Sequence, residues 1–296
     1  MLKTNLQIKI KGHESFIPRE GWITKGLYVV NENPTLFSGK ESGAGRLGVG
    51  TNMAKSIKYW MTAADLIEGN GNRGYRLSLI GKSIYNHDLY LEDKFSLWVI
   101  HSNTVRNFAN ATSWSIFFNE INATYFNKEE LFKMLFDNYS DKLSGKAFSE
   151  RSLRDDCTAI LAMYSQNEEK ITDPEDKKTS PFSELGLIKH YGTIYEKRRP
   201  SIDEINPLLI LYIMDNGFKK GDVSDNREYL FIDDIVNGFD MPGKILNMNR
   251  IMVNEKLDAL ANLGYIEVNR TSGLDIVYRT SEIRGADILD QYYKER

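Results

Sequence analysis

The sequence predicts a mainly α-helical protein with small β-hairpin wings, built from tandem winged-helix or helix-turn-helix units. Three observations lead there. Apolar residues Met53, Ile57, Trp60, Ala64 and Ile67 recur at spacings of four, three, four and three, one face of a helix. A turn-rich stretch, Glu68-Gly-Asn-Gly-Asn-Arg-Gly, and a strand from Tyr75 to Leu79 follow at once. The same order returns between Asn249 and Arg279. In a winged helix, the helix before the hairpin enters the major groove of DNA and the turn lies along the backbone.

From the N-terminus, residues 6–10 alternate as a short strand would. Pro18 suits a helix start, and Arg19 to Asn31 reads as a helix with Trp22, Leu27 and Val30 inward. Residues 38–50, SGKESGAGRLGVG, hold too many glycines for a regular element. The run lacks the Gly-Lys-Ser/Thr ending of a phosphate loop. It leads straight into the 51–68 helix, where backbone amides suit a DNA phosphate; a plain flexible connection is the simpler account. Lys55, Lys58 and Thr62 share a second face of that helix.

Helices are expected next at Lys94–Asn107, Ser113–Ile121 and Glu129–Tyr139. A helix-turn-helix candidate follows in FSERSLRDDCTAILAMYSQ, with Leu153, Cys157, Ile160, Leu161 and Tyr164 inward and Ser149 or Ser152 as cap. Arg151 and Arg154 lie in its first turn, where recognition helices touch DNA and where a cation opposes the helix dipole. Residues 166–181 are polar and read as a linker or exposed loop. Helices are expected at 207–220, Tyr229–Asn237, Asn249–Leu263 and Ser281–Arg296, with Gly264 as a C-terminal stop. Around the two hairpins, Leu66-Ile67-Glu68 matches Tyr265-Ile266-Glu267, and Tyr75-Arg76 matches Tyr278-Arg279, a weak internal repeat. The domains expected are an N-terminal winged helix over 1–92, a helical domain over 93–166, a polar linker or loop over 167–200 and a C-terminal winged helix over 201–296.

Composition narrows the classes. Apolar residues make up 41% and charged residues 27%, as in ordinary globular chains. The first residues carry no apolar signal region, and no stretch is long enough to span a bilayer, so a cytoplasmic protein is expected. One cysteine, Cys157, excludes an intrachain disulfide and a thiolate metal cluster. The net charge of −3 hides local polarity. Lys40, Arg46, Lys55, Lys58, Arg73 and Arg76 outweigh Glu41, Asp65 and Glu68 in one block. Lys189, Lys197, Arg198 and Arg199 form a second basic group, while acids crowd residues 222–240. Candidate nucleic-acid contacts are therefore Arg46, Asn52, Lys55, Lys58, Arg73, Arg76, Arg151 and Arg154.

The densest cluster of unusual polar residues is His13, Glu14, Arg19, Glu20 and Lys25. It offers a base, two metal-capable carboxylates and two phosphate-binding cations, while a salt-bridge network fixing the first helix accounts for the same residues. His101 reads as a satisfied core histidine, and Cys157 as buried and inert.

Three stretches, GHESFIPREGWITKGL, GVGTNMAKSIKYWMTAADLIE and LEDKFSLWVIHSNT with ATSWSIFFN, resemble one bacterial family, the domain of unknown function numbered 4007 (DUF4007). The resemblance runs from about His13 to the C-terminus. It implies a place in a DNA phosphorothioation system, as the SspB-type strand-nicking component of an anti-phage defence. It also implies partners that transfer sulfur and hydrolyse ATP, and double-stranded DNA as the ligand. A nickase must stabilise both oxygens at phosphorus, commonly with Mg²⁺ or Mn²⁺ held by carboxylates. On that reading His13, Glu14, Arg19, Glu20 and Lys25 are the catalytic candidates. A non-catalytic DNA-specificity subunit and a protein scaffold are the alternatives.

Overall fold

Gly21 decides where the first helix begins. Its φ of 73° is left-handed, so α1 starts at Trp22 and runs to Glu32, rather than starting at Arg19. The structure is a computed structural model that describes residues 7–38, 43–143, 147–165, 179–220, 227–273 and 275–296. Most of the polar stretch expected as a linker, together with Lys40, Glu41, Asp222 and Asp225, lies outside the described residues. The chain divides into two units, Met1–Arg198 and Arg199–Arg296.

In the first unit, residues 7–10 form no strand; Lys9 instead donates its N–H to Thr112 Oγ1 at 2.9 Å. After α1 come α2 (Ala44–Leu47) and α3 (Thr51–Ala63). The apolar period of α3 buries Ile57 and Trp60, as predicted. The helix stops earlier than its pattern suggests, because Asp65 adopts φ 56° and turns the chain into β1 (Ile67–Gly69). Ile67, expected on the helix, is thereby paired with Leu77 of β2 (Tyr75–Leu77). Gly74 closes this hairpin against Pro34, whose carbonyl oxygen would lie 2.2 Å from any Cβ placed there. Ser78 caps α4 (Leu79–His87), a helix where the sequence pattern had suggested more strand.

The core of this unit is helical and aromatic. α5 (Lys94–Arg106), α6 (Thr112–Asn119), α7 (Lys128–Leu143) and α8 (Glu150–Tyr164) surround Trp98, Trp114, Phe117, Phe118, Tyr139 and Tyr164, all fully buried. α5 shows almost no amphipathic pattern because Phe95 to Val105 are buried all round. Asn103 and Asn107 of α5 donate to the last carbonyls of α3, so one helix caps another. His101 Nδ1 lies 2.8 Å from the Tyr164 hydroxyl inside this core. Part of the expected linker is ordered strand: β4 (Ile188–Tyr191) and β5 (Ile194–Lys197) pair antiparallel, and β5 also pairs with β3 (Tyr125–Asn127).

In the second unit, α9 (Pro207–Met214) is the apolar helix expected, shortened by a following turn. Residues 229–231, predicted as the start of a helix, instead lie in strand β7 (Glu228–Phe231), which leads into α10 (Ile232–Asn237) and α11 (Pro242–Ile245). α12 (Arg250–Asn262) buries Val253, Leu257 and Leu260, and Gly264 takes φ 81° just beyond it. β6 (Lys219–Lys220), β7, β9 (Ile276–Arg279) and β8 (Ile266–Asn269) form one antiparallel sheet in that order. α13 (Ala286–Glu295) ends the chain. Both hairpins, β1–β2 and β8–β9, are closed by a single turn of 3₁₀ helix following a helix of the same length, 13 residues.

Candidate nucleic-acid interface

A tight turn precedes α1. Lys11, Glu14 and Ser15 all have positive φ, a conformation non-glycine residues hold only when their surroundings fix it. Here the surroundings do. The Phe16 carbonyl accepts from Trp60 Nε1 at 2.9 Å and from Ser56 Oγ at 3.2 Å. His13 points inward and is 0% exposed. Its Nε2 donates to Asp156 Oδ1 at 2.9 Å, and its ring packs among Tyr59, Trp60 and Trp114.

Asp156 is the hub of this buried network. Its carboxylate also accepts the Lys11 N–H at 2.8 Å and the Ser113 hydroxyl at 2.5 Å, and Ser113 in turn meets the Tyr139 hydroxyl at 2.9 Å. Burial first, and the Asp156 charge second, push the Tyr139 and Tyr59 hydroxyls well above the usual tyrosine range. Both groups stay protonated. The neighbouring Cys157 thiol is pushed up to about 12, again chiefly by burial, which makes it inert as the sequence suggested.

The five clustered residues at the N-terminus therefore part company. His13 is enclosed. Glu14 is exposed on the turn. Arg19 lies over the rings of Phe16 and Trp22 and, with Glu20, lines a cleft of about 430 Å³ that also meets Glu92 and Glu184. Lys25 is exposed one turn further along α1 and lines a different cleft. Among the described residues no three His, Cys, Asp or Glu side chains converge as a metal site.

Of the candidate DNA contacts, several are already engaged. Lys58 donates to the Phe37 carbonyl and lies over the Tyr75 ring. Arg76 pairs with Glu68 at 2.7 Å across the hairpin. Arg154 clasps Glu129 through two contacts of 2.7 and 2.8 Å and stacks on Phe132. Arg46, Asn52, Lys55, Arg73 and Arg151 are exposed, and the four cations among them form no ion pair with the described residues. Asn52 and Lys55 lie on the first turns of α3, and Arg73 ends the turn between β1 and β2.

Sequence reasoning missed three things. Asp156, hidden in the middle of α8, carries no local pattern. Lys197 was counted as surface charge, yet its ammonium donates to the Phe117 and Ile121 carbonyls at 2.9 and 3.0 Å, ending α6. Tyr28 and Tyr90, 47% and 73% exposed, both line the cleft of Lys25.

The fold defines a mainly helical protein with small antiparallel sheets. The chain belongs to the family described as a protein of unknown function (DUF4007), which matches residues 10–293. Two solved structures share its fold. One is a magnesium ion-bound SspB crystal structure, 22% identical with a TM-score of 0.81. The other is an SspB crystal structure, 22% identical with a TM-score of 0.80. In each case 97% of this chain and 88% of the other are covered. No curated protein sequence matches the chain. Among the described residues no helix is long and apolar enough to cross a membrane.

Proposed function

We propose that the protein is a component of a DNA phosphorothioation defence system and that its N-terminal unit binds double-stranded DNA. The observation that carries this reading is the set of exposed cations, without ion-pair partners among the described residues, formed by Arg46 on α2, Lys55 at the start of α3 and Arg73 on the turn after β1. The element order α1, α2, α3, β1, turn, β2 supports a winged-helix reading, in which the first turns of α3 face the groove and Arg73 meets backbone phosphate. Asn52 adds a side chain able to read a base edge. Arg151 offers a further phosphate contact.

The finer reading is strand nicking that prepares DNA for sulfur incorporation by partner proteins. Likeness to SspB supports it. The accessible candidates for that chemistry are Glu14, Arg19, Glu20 and Lys25; enclosed His13 would act only by holding the turn that carries Glu14. The test is conversion of supercoiled plasmid to open circle, with and without Mg²⁺ or Mn²⁺. Intact plasmid under all conditions, together with salt-sensitive binding, would leave a DNA-binding specificity subunit.

A second reading concerns the second unit. It carries 12 basic against 17 acidic residues, a formal charge of −5, whereas the first carries 26 against 24, or +2. On α12, Arg250 is held by Asp233 and Asp275, Asp258 is paired with Arg270 from just beyond β8, and Ile251 is 76% exposed. A helix so neutralised suits a protein partner better than phosphate. The scaffold role, toward the sulfur-transfer or ATPase components, therefore falls to this unit. Pull-down of those components by the full chain but not by its Ile251→Asp variant is the expected outcome.

A further inference from the structure

We infer that the cleft between α1 and the loop joining α4 to α5 binds one unstacked nucleotide, its base against Tyr28 and Tyr90 and its phosphate on Lys25 and Arg46. The inference rests on the DNA-binding reading and deepens it.

The cleft has a volume of about 490 Å³ and is lined by Thr24, Lys25, Tyr28, Arg46, Leu89 and Tyr90, among others. This is the size of a small-ligand site rather than of a duplex. Two large aromatic rings stand exposed at it, which costs apolar surface in contact with water and marks a binding surface. Tyr28 lies three residues after Lys25, hence on the same face of α1. Tyr90 sits on a braced loop: Thr24 donates to the Leu89 carbonyl at 2.9 Å, and the Asp88 carboxylate accepts the Glu92 and Asp93 N–H groups. Backbone already fixed in this way loses little freedom when a base stacks on the ring it carries.

Charge selects the ligand class. Lys25 and Arg46 are exposed and without an ion-pair partner among the described residues, and no carboxylate lines this cleft. The neighbouring cleft, which shares Thr24 and Tyr90, is lined by three glutamates and would repel a phosphate. Two cations beside two aromatic rings match an anionic ligand with a flat π-face. In a paired duplex the base faces are covered by their neighbours. The nucleotide must therefore be extrahelical or single-stranded.

Fluorescence anisotropy with the full chain tests this on three DNAs: a paired duplex, the same duplex with one unpaired 2-aminopurine nucleotide, and the single strand. The bulged duplex is expected to bind about 10-fold more tightly than the paired one, with 2-aminopurine emission quenched by stacking. Tyr28→Ala and Tyr90→Ala are each expected to shrink that preference by about 5-fold or more, and Tyr→Phe at either position to retain it, because the ring rather than the hydroxyl makes the contact. Equal affinity for bulged and paired duplex, or a preference unaltered in the Tyr28→Ala, Tyr90→Ala double variant, overturns the inference while leaving DNA binding intact. No binding to any of the three overturns the DNA-binding reading with it.

Discussion

His13 Nε2 lies 2.9 Å from Asp156 Oδ1, and both side chains are shut away from solvent. The pair joins the turn before α1 to α8, 143 residues later in the chain. Removing Asp156 takes the acceptor from three donors at once: the part-buried Lys11 N–H and the buried His13 ring and Ser113 hydroxyl. Asp156→Ala is expected to cost about 3–5 kcal/mol in urea unfolding. His13→Ala leaves a cavity among Tyr59, Trp60 and Trp114 and is expected to cost about 2–4 kcal/mol. Both variants damage one network, so the double variant should lose less than the sum. Strict additivity would show that the two residues act separately. A fully stable His13→Ala would deny the pair its structural role.

Lys197 is buried to 7% exposure, and its ammonium takes the place water would hold at the end of α6. A cation there also complements the negative end of the helix dipole. Lys197→Met keeps the stem and removes the donors. The expected loss is about 2–4 kcal/mol, because carbonyls of a buried helix end are left without partners. An unfolding free energy in urea within about 0.5 kcal/mol of the parent would mean that other groups satisfy those carbonyls.

How far the sequence could be read depended on the range of the interactions. Ile57 and Trp60 are legible because a helix writes its buried face at a fixed local period. The turn at Gly71–Arg73 is legible because glycine and asparagine tolerate the backbone it needs. The end of α3 was not, since Asp65 adopts a left-handed φ that no neighbouring residue type announces. Residues 229–231 read as helix because Tyr229, Leu230 and Phe231 suit either element. Pairing with β9, 49 residues away at Tyr229 and Tyr278, decides the matter. The N-terminal polar cluster misled in a different way. His13, Glu20 and Lys25 are close in sequence, but the left-handed turn sends one of them into the core and the others outward.

Asp88 gives a pH signature. Its side chain is 7% exposed, and burial holds its carboxyl above the ordinary range despite hydrogen bonds from Ser96, Glu92 and Asp93 that act the other way. A carboxyl raised on folding binds its proton more tightly in the folded state. Ionising it therefore costs stability above the folded pKa, and that cost disappears as pH falls below the unfolded value. Asp88→Asn does not titrate. The stability of the parent relative to Asp88→Asn should thus rise as pH falls from 7 through the carboxylate range. Urea unfolding of the two proteins at several pH values reads the difference directly. A parent that loses stability relative to Asp88→Asn on acidification has the wrong sign and would mean that the hydrogen bonds outweigh burial.

The cations of the N-terminal unit differ in what they have left to give. Each phosphate contact contributes about 0.9 to the slope of log affinity against log salt on duplex DNA. Lys55, Arg46 and Arg73 are exposed and unpaired among the described residues, so alanine at any of them should lower the slope by about that amount and weaken all sequences alike. Arg154 is different. Its guanidinium is already held by Glu129 and Phe132, and moving it to a phosphate would break both contacts. Arg154→Ala should leave the slope within about 0.3 of the parent, because few counterions are released by a charge already neutralised. Anisotropy titrations of a paired duplex over a range of salt measure all four. An equal fall in slope for Arg154→Ala and Lys55→Ala would mean that exposure and pairing do not select the phosphate contacts, and the groove-facing assignment of α3 would lose its support.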